Sequence, residues 1–333
     1  MRRSLVLAVV ALAAGCNVAE AHRPIVLRFS HVVAVDTPKG QAAEYFKKRA
    51  EDLTRGRVRV EIYPNSTLYN DREELEALQL GAVEMLAPSL SNFGALATEF
   101  EVFDLPFIFD DYVELRKVTD GPIGARLLGL LESKGIRGLA YWDNGFKSFS
   151  ANQLLRRVED LRGLRMRIQP SKVLDAQMRA VGALPCVLSF AEVREALQAG
   201  VVDGTENPIS NFYTQRMHEV QKHLWLTRHG YLGYAVIVNK RFWEGLPGDV
   251  RRELEEAMRE ATEYANRIAK EKNDADLAKV EAAATTEVYR PTREERLALR
   301  RALVPVHQQC EDRIGKALLQ DIYRTTSFDR GAP

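Results

Sequence analysis

The sequence predicts a two-lobed α/β protein, and three observations carry that prediction. Strand patterns alternate with amphipathic helix patterns from residue 25 onward, a seventeen-residue unit occurs twice, and a long run near the carboxyl end lacks glycine and proline. The 46% apolar content is ordinary for a globular chain.

Residues 1–21 have the layout of an export signal: Arg2 and Arg3, an apolar run over residues 5–14, then Ala19-Glu20-Ala21 as a small-x-small cleavage site. The ten-residue run is too short to span a bilayer. Cys16 ends a segment, Leu12-Ala13-Ala14-Gly15-Cys16, that resembles a lipoprotein box, so lipidation is the alternative to cleavage after Ala21. Cleavage would leave about 312 residues with 45 basic and 45 acidic side chains. A formally neutral chain with no basic run gives no reason to expect nucleic acid. The remaining cysteines, Cys186 and Cys310, lie 124 positions apart. They could pair in an oxidising compartment, but they make no disulfide framework and fit no metal-ligand spacing.

The first strand is read over residues 25–29 and runs into His31 and Lys39. Ala42, Phe46, Ala50 and Leu53 form a helical stripe that stops at Gly56, and Val58, Val60 and Ile62 alternate as a second strand. Another helix starts at Asp71 and reaches Gly81; a strand over residues 83–87 follows, with a polar exit at Ser89. Residues 135–142 read as one more strand, ending in Asp143-Asn144-Gly145. Such alternation predicts a parallel, doubly wound sheet.

The repeat aligns residues 77–93, ALQLGAVEMLAPSLSNF, with residues 196–212, ALQAGVVDGTENPISNF, without a gap and with eight identities. Each copy reads as a helix end, a glycine stop, a strand and a loop closing in Ser-Asn-Phe. Two lobes of similar construction follow.

Between the copies, LRGLRMRIQPSKVL over residues 161–174 alternates Leu164, Met166 and Ile168 with Arg165, Arg167 and Gln169, a half-buried strand. Pro170 ends it and Ser171 caps a helix through Val173, Leu174, Gln177 and Met178. A guanidinium near a strand's carboxyl end is well placed to hold an anion; the alternative is a solvated edge-strand arginine. Ser189 and Glu192 form a capping box for the next helix, whose following strand ends at Asn207. Because open α/β sheets bind ligands outside the carboxyl ends of their strands, Arg167 and Asn207 are candidates for one site.

Residues 249–290 lack glycine and proline, and Val250, Leu254, Ala257, Ala261, Tyr264 and Ile268 make a core stripe. One helix over residues 249–281 would be about 48 Å long and would strut both lobes. The alternative is two helices broken near Asn273-Asp274. A strand over residues 287–289 follows, then a helix that Thr292 and Glu295 cap and Pro305 interrupts. The crossings between lobes are read at residues 143–146 and 229–233. Lobe 1 is then residues 25–144 plus about 233–272, and lobe 2 residues 145–232 plus about 273–330.

Catalytic signatures are missing: there is no Gly-x-Ser-x-Gly, no His-Glu-x-x-His, no phosphate loop and no metal-ligand spacing among the histidines. His218 and His223 fall on different helix faces. No cofactor or metal is expected.

Several longer motifs carry a resemblance: FSHVVAVDTPKGQAA, IYPNSTL, EVFDLPFIFDD, YWDNGFKSFSAN, GLRMRIQPSKV, LSFAEVREALQAGVVDGTENPISN and MHEVQKHL. Through them the chain resembles the extracytoplasmic solute-binding proteins of tripartite ATP-independent periplasmic (TRAP) transporters, most of all the C4-dicarboxylate receptors. The resemblance implies a two-lobed periplasmic-binding-protein fold, with a ligand cleft between lobes and a long lobe-spanning helix, that closes on an organic acid. It implies that Arg167 forms the central salt bridge to a substrate carboxylate, that Asn207 and Phe190 line the site, and that Lys147 faces the ligand. Lys39, His31, Ser89 and Asn211 are carried over by motif alone. Sialic-acid receptors have arginine at the Lys147 position and a glutamate in the loop that here reads Ala87-Pro88-Ser89. The expectation is a periplasmic, monomeric receptor for succinate, malate or fumarate that hands its ligand to TRAP membrane permease subunits and is not an enzyme. A receptor for another organic acid, a sensory binding protein and a secreted α/β enzyme are the alternatives.

Overall fold

The computed structural model describes residues 23–329. The export signal, Cys16 and the cleavage site fall outside the described residues. Nine strands form one mixed sheet: β1 (Ile25–Ser30), β2 (Val58–Tyr63), β3 (Met85–Leu86), β4 (Ile136–Ala151), β5 (Arg165–Ile168), β6 (Leu184–Val187), β7 (Gly204–Asn207), β8 (His223–Asn239) and β9 (Glu287–Tyr289). Their order, β2-β1-β3-β8-β4-β7-β5-β6 with β9 on β8, reads as two mirrored halves. Within each half the short strands are parallel, β2-β1-β3 and β6-β5-β7. The wholly parallel sheet expected from the sequence is not what forms. β4 and β8 run antiparallel to each other, and each passes through both halves, joining them.

The repeat explains the symmetry. Helix α1 (Pro38–Leu53) links β1 to β2, and α2 (Glu74–Gln79) leads through Gly81 into β3. In the other half, α3 (Lys172–Ala180) links β5 to β6, and α4 (Val193–Gln198) leads through Gly200 into β7. Gly81 and Gly200 both have positive φ, +75° and +68°, which a side chain rarely tolerates. The acid after each turn does the same work: Glu84 binds Arg28 of β1 through its backbone N–H and guanidinium, and Asp203 binds Arg165 of β5 likewise.

Both crossings lie inside continuous strands. The β4–β8 register shifts between Asp143 and Gly145 and again between Lys147 and Phe149, so the glycine-bearing stretches are bulges that bend the ribbon. Against them lies α5 (Gly248–Ala283), one unbroken helix of 36 residues, about 54 Å long. Asn273 and Asp274 sit within it. Three polar residues of α5 fasten the first crossing. Thr262 accepts the Trp142 indole N–H at 3.0 Å, Asn266 accepts the Asp143 N–H at 2.9 Å, and Asn273 donates to the Asn144 carbonyl at 2.7 Å. Asn273 also accepts the Ser210 N–H at 3.0 Å from the second half.

The apolar cores follow the halves for the most part, with Val32, Val33, Phe107 and Val173 packing across the boundary. Phe29, Phe46, Val60, Leu254 and Ala261 pack on one side of the first half, and Phe93, Phe103, Leu127 and Ile237 on the other. Phe149, Met166, Leu174 and Trp225 form one core of the second half, and Val193, Leu197, Phe212 and Val280 another. Helices α6 (Arg293–Leu303), α7 (Pro305–Ile314) and α8 (Lys316–Thr326) part company: Leu299 and Leu303 join the second half, whereas Val306, Ile314, Leu319 and Ile322 join the first. The break at Pro305 lets the chain pass from one core to the other.

Replacing Asn273 by leucine keeps the helix but strips partners from the Asn144 carbonyl and the Ser210 N–H. The expected cost is about 2 kcal/mol, read as a lower midpoint in urea denaturation.

Candidate functional site

The carboxyl ends of β1, β3, β5 and β7 converge on one narrow cavity of about 20 Å³. Its wall includes Val32, Val33, Asp71, Ser89 and Asn92 from the first half, and Arg167, Gln169, Phe190, Asn207 and Asn211 from the second. Leu232 and Tyr234 of β8 complete it. A larger open groove lies elsewhere, between Tyr141 and Met258, away from the carboxyl ends of the strands that bear Arg167 and Asn207.

Arg167 is 3% exposed and lies in β5, between β6 and β7, so it is not an edge-strand arginine in water. The alternation of the strand sets this: Met166 and Ile168 enter the core of the second half, which turns Arg167 to the other face. Its Nε and Nη2 both donate to the Leu188 carbonyl, at 3.0 and 2.8 Å, which fixes one edge of the guanidinium. Nη1 has no hydrogen-bond partner among the described residues. Nη2 is 3.8 Å from Asp71, and the Phe190 ring lies 5.8 Å from the guanidinium carbon. Burial lowers the Arg167 pKa to about 10, against the pull of Asp71. The group stays charged at neutral pH, with one edge set and the other available to an anion.

Amides supply the next set of contacts. Asn144 donates through Nδ2 to Asn211 Oδ1 at 2.8 Å and to the Tyr234 hydroxyl at 2.5 Å, and accepts Ser210 Oγ–H at 2.7 Å. With its oxygen engaged, Asn211 has its NH₂ to offer. Asn207 Nδ2 contacts Thr205 Oγ1 at 3.1 Å, and the buried Oδ1 atoms of Asn207 and Asn92 have no partner. Because the Thr205 hydroxyl can donate or accept, a flip of the Asn207 amide keeps that contact and presents NH₂ to the cavity.

Arg167, Phe190, Asn207, Asn211 and Ser89 thus share one cavity. The other three expected residues lie off its lining. Lys147 Nζ is buried 2.6 Å from Glu206 Oε1, in a space that Gly230 leaves open: a Cβ there would sit 2.9 Å from Lys147 Cε. Glu206 also binds His229 at 2.7 Å and Gln177 at 2.8 Å. Burial opposes its charge, yet Lys147 and His229 prevail and hold its pKa down to about 2. Lys147 is therefore the buried partner of Glu206 and does not line this cavity. Lys39 lies one layer behind the wall. Its Nζ donates to the Ala87 carbonyl at 2.9 Å and sits 3.7 Å over the Tyr234 ring. Burial pushes Lys39 and nearby Glu74 toward their neutral forms while their mutual attraction resists. His31 is fully buried, and burial, with the nearby charge of Lys39, lowers its pKa to about 3, so it is neutral.

Sequence reasoning missed Asn92, Asp71, Gln169 and Tyr234. Two had signals: the Ser-Asn-Phe repeat aligns Asn92 with Asn211, and Gln169 shares its strand face with Arg167. Asp71 read only as a helix start, and Tyr234 had none.

A sequence profile described as "Bacterial extracellular solute-binding protein, family 7" matches residues 29–313. The chain is 58% identical over 318 residues to a Rhodobacter capsulatus protein named C4-dicarboxylate-binding periplasmic protein DctP, covering 95% of this chain and 96% of that one. A TRAP periplasmic solute-binding protein of Sulfurospirillum deleyianum, solved with bound succinate, superposes with a TM-score of 0.88 at 43% identity, covering 90% of this chain and 99% of that one. A TRAP periplasmic solute-binding protein of Pseudomonas aeruginosa with bound L-malate has a TM-score of 0.84 at 44% identity, covering 86% and 100%.

Asp104 supplies a pH prediction. Burial raises its pKa to about 6 from the usual 3.8, although Lys147 opposes the rise. The folded protein keeps that proton at a pH where the unfolded chain has lost it. This contribution to stability is therefore complete below about pH 4 and is lost as pH rises through about 6. Asp104→Asn, neutral throughout, is expected to be more stable than wild type at about pH 7.5 by up to about 3 kcal/mol and to match it near pH 4, by thermal denaturation at both.

Proposed function

The chain belongs to the bacterial extracellular solute-binding proteins of family 7 and is a receptor of the TRAP transporter type, and from that premise we propose that its cavity takes a C4-dicarboxylate. The observation that carries the proposal is the buried Arg167 guanidinium, held on one edge by Leu188 and facing amides and hydroxyls from both halves. A carboxylate in that space receives a charge-assisted bond from Arg167 and further donors from Asn207 and Asn211. The second carboxylate is met from the first half by Ser89 and Asn92, with the positive charge of Lys39 behind Tyr234. Binding an ion in a buried site requires such matching, because an unpaired buried charge costs several kcal/mol. The relatives with bound succinate and L-malate support this class of ligand.

Closure follows the same reading. The lobes divide near 144/145 and 232/233, with the tail helices shared as described, and the two bulged crossings absorb the rotation. The ligand is released to TRAP membrane permease subunits from a monomeric, periplasmic receptor.

A thermal-shift panel tests the ligand class. Succinate, malate or fumarate at about 100 times its dissociation constant is expected to add roughly 2.7 kcal/mol of stability, with butyrate far behind. Butyrate matching succinate, or no response to any diacid, contradicts the proposal. Lys39→Met is expected to weaken succinate about tenfold or more and butyrate only about twofold by calorimetry. Equal losses would remove Lys39 from the second carboxylate.

A further inference from the structure

The starts of the two repeat-related helices, α2 and α4, meet at the mouth of the cavity. Asp71 and Arg72, adjacent in the first lobe, reach two features of residues 189–192 in the second. Both Asp71 carboxylate oxygens accept the Phe190 N–H, at 3.2 and 3.1 Å. Arg72 Nη2 pairs with Glu192 Oε2 at 2.8 Å. Glu192 is itself tied down, because the same oxygen accepts the Ser189 N–H at 3.0 Å and the Ser189 hydroxyl at 2.9 Å. Asp71 and Phe190 line the cavity, whereas Arg72 and Glu192 do not, and their side chains are 55% and 49% exposed.

We propose that Asp71 and Arg72 form an interlobe latch that positions Phe190 over the bound acid and sets the rate at which the acid leaves. The proposal rests on the receptor reading of the cavity. Each opening must part the Asp71 carboxylate from a backbone N–H and separate Arg72 from Glu192. An exposed ion pair contributes little, so this pair changes the release rate severalfold and does not decide whether closure occurs. The latch grips from the residue next to Asp71, which couples the closing contact directly to the cavity wall.

Glu192→Gln separates the latch from simple charge effects. Glutamine keeps an acceptor for Ser189 and loses the charge that holds Arg72. Glu192 acts through space on Arg167, so removing a negative charge there would by itself tighten an anion. The latch gives the opposite sign. In stopped-flow measurements, Glu192→Gln and Arg72→Ala are each expected to release succinate about three- to fivefold faster with little change in association rate. The double variant is expected to be no faster than either single one, since both break one contact. Unchanged or slower release from Glu192→Gln, or effects that multiply in the double variant, would overturn the latch. Wild-type protein that does not bind succinate would count against the dicarboxylate reading instead. The latch is then judged in ligand-free protein from the distance between spin labels at Lys48→Cys and Arg179→Cys, in a Cys186→Ser background. Longer distances in the two latch variants support it, and unchanged distances overturn it.

Discussion

Everything around the cavity depends on keeping the Arg167 guanidinium charged and out of water. A buried cation without partners is costly, and the fold meets that cost only in part. Leu188 takes one edge of the guanidinium through its carbonyl, and Asp71 lies 3.8 Å away on the opposite lobe. Neither bond to Leu188 uses Nη1. In the proposed reading the remaining mismatch is met by a ligand carboxylate, and burial strengthens that pairing.

The architecture makes that correction a matter of two lobes. A mirrored strand order brings the carboxyl ends of β1, β3, β5 and β7 to one place, and the two asparagines that close the repeat, Asn92 and Asn211, arrive there from opposite sides. Between the halves, β4 and β8 are continuous but bulged, and the long helix fastens one crossing through Thr262, Asn266 and Asn273. A hinge built this way bends at few places.

Much of this was legible in the sequence because it is local. Period-two and helical spacing located most elements, the repeat announced the two halves, and the glycine-free run gave the long helix. What escaped depends on contacts far apart in the chain. Lys147 looks like a ligand residue from its motif, but its partner Glu206 lies 59 positions away on the neighbouring strand, and no spacing rule couples the two. The strand expected to end at Asp143-Asn144-Gly145 only bulges there and runs on to Ala151, and its antiparallel pairing with β8 depends on residues far away in the chain. Pro305 signalled the interruption, but not that the helices on its two sides would join different cores. Asp71 appears as a helix start in sequence and as a cavity wall in structure, because its role comes from the facing lobe.

Calorimetric titration of succinate into wild type and Arg167→Lys tests the central claim most directly. Lysine keeps the charge but cannot give one edge to Leu188 and another to a carboxylate. The account predicts that Arg167→Lys folds as wild type does and loses about 3–5 kcal/mol of binding. Near-wild-type affinity in Arg167→Lys would contradict it, since a point charge would then serve where the fork was held to be required.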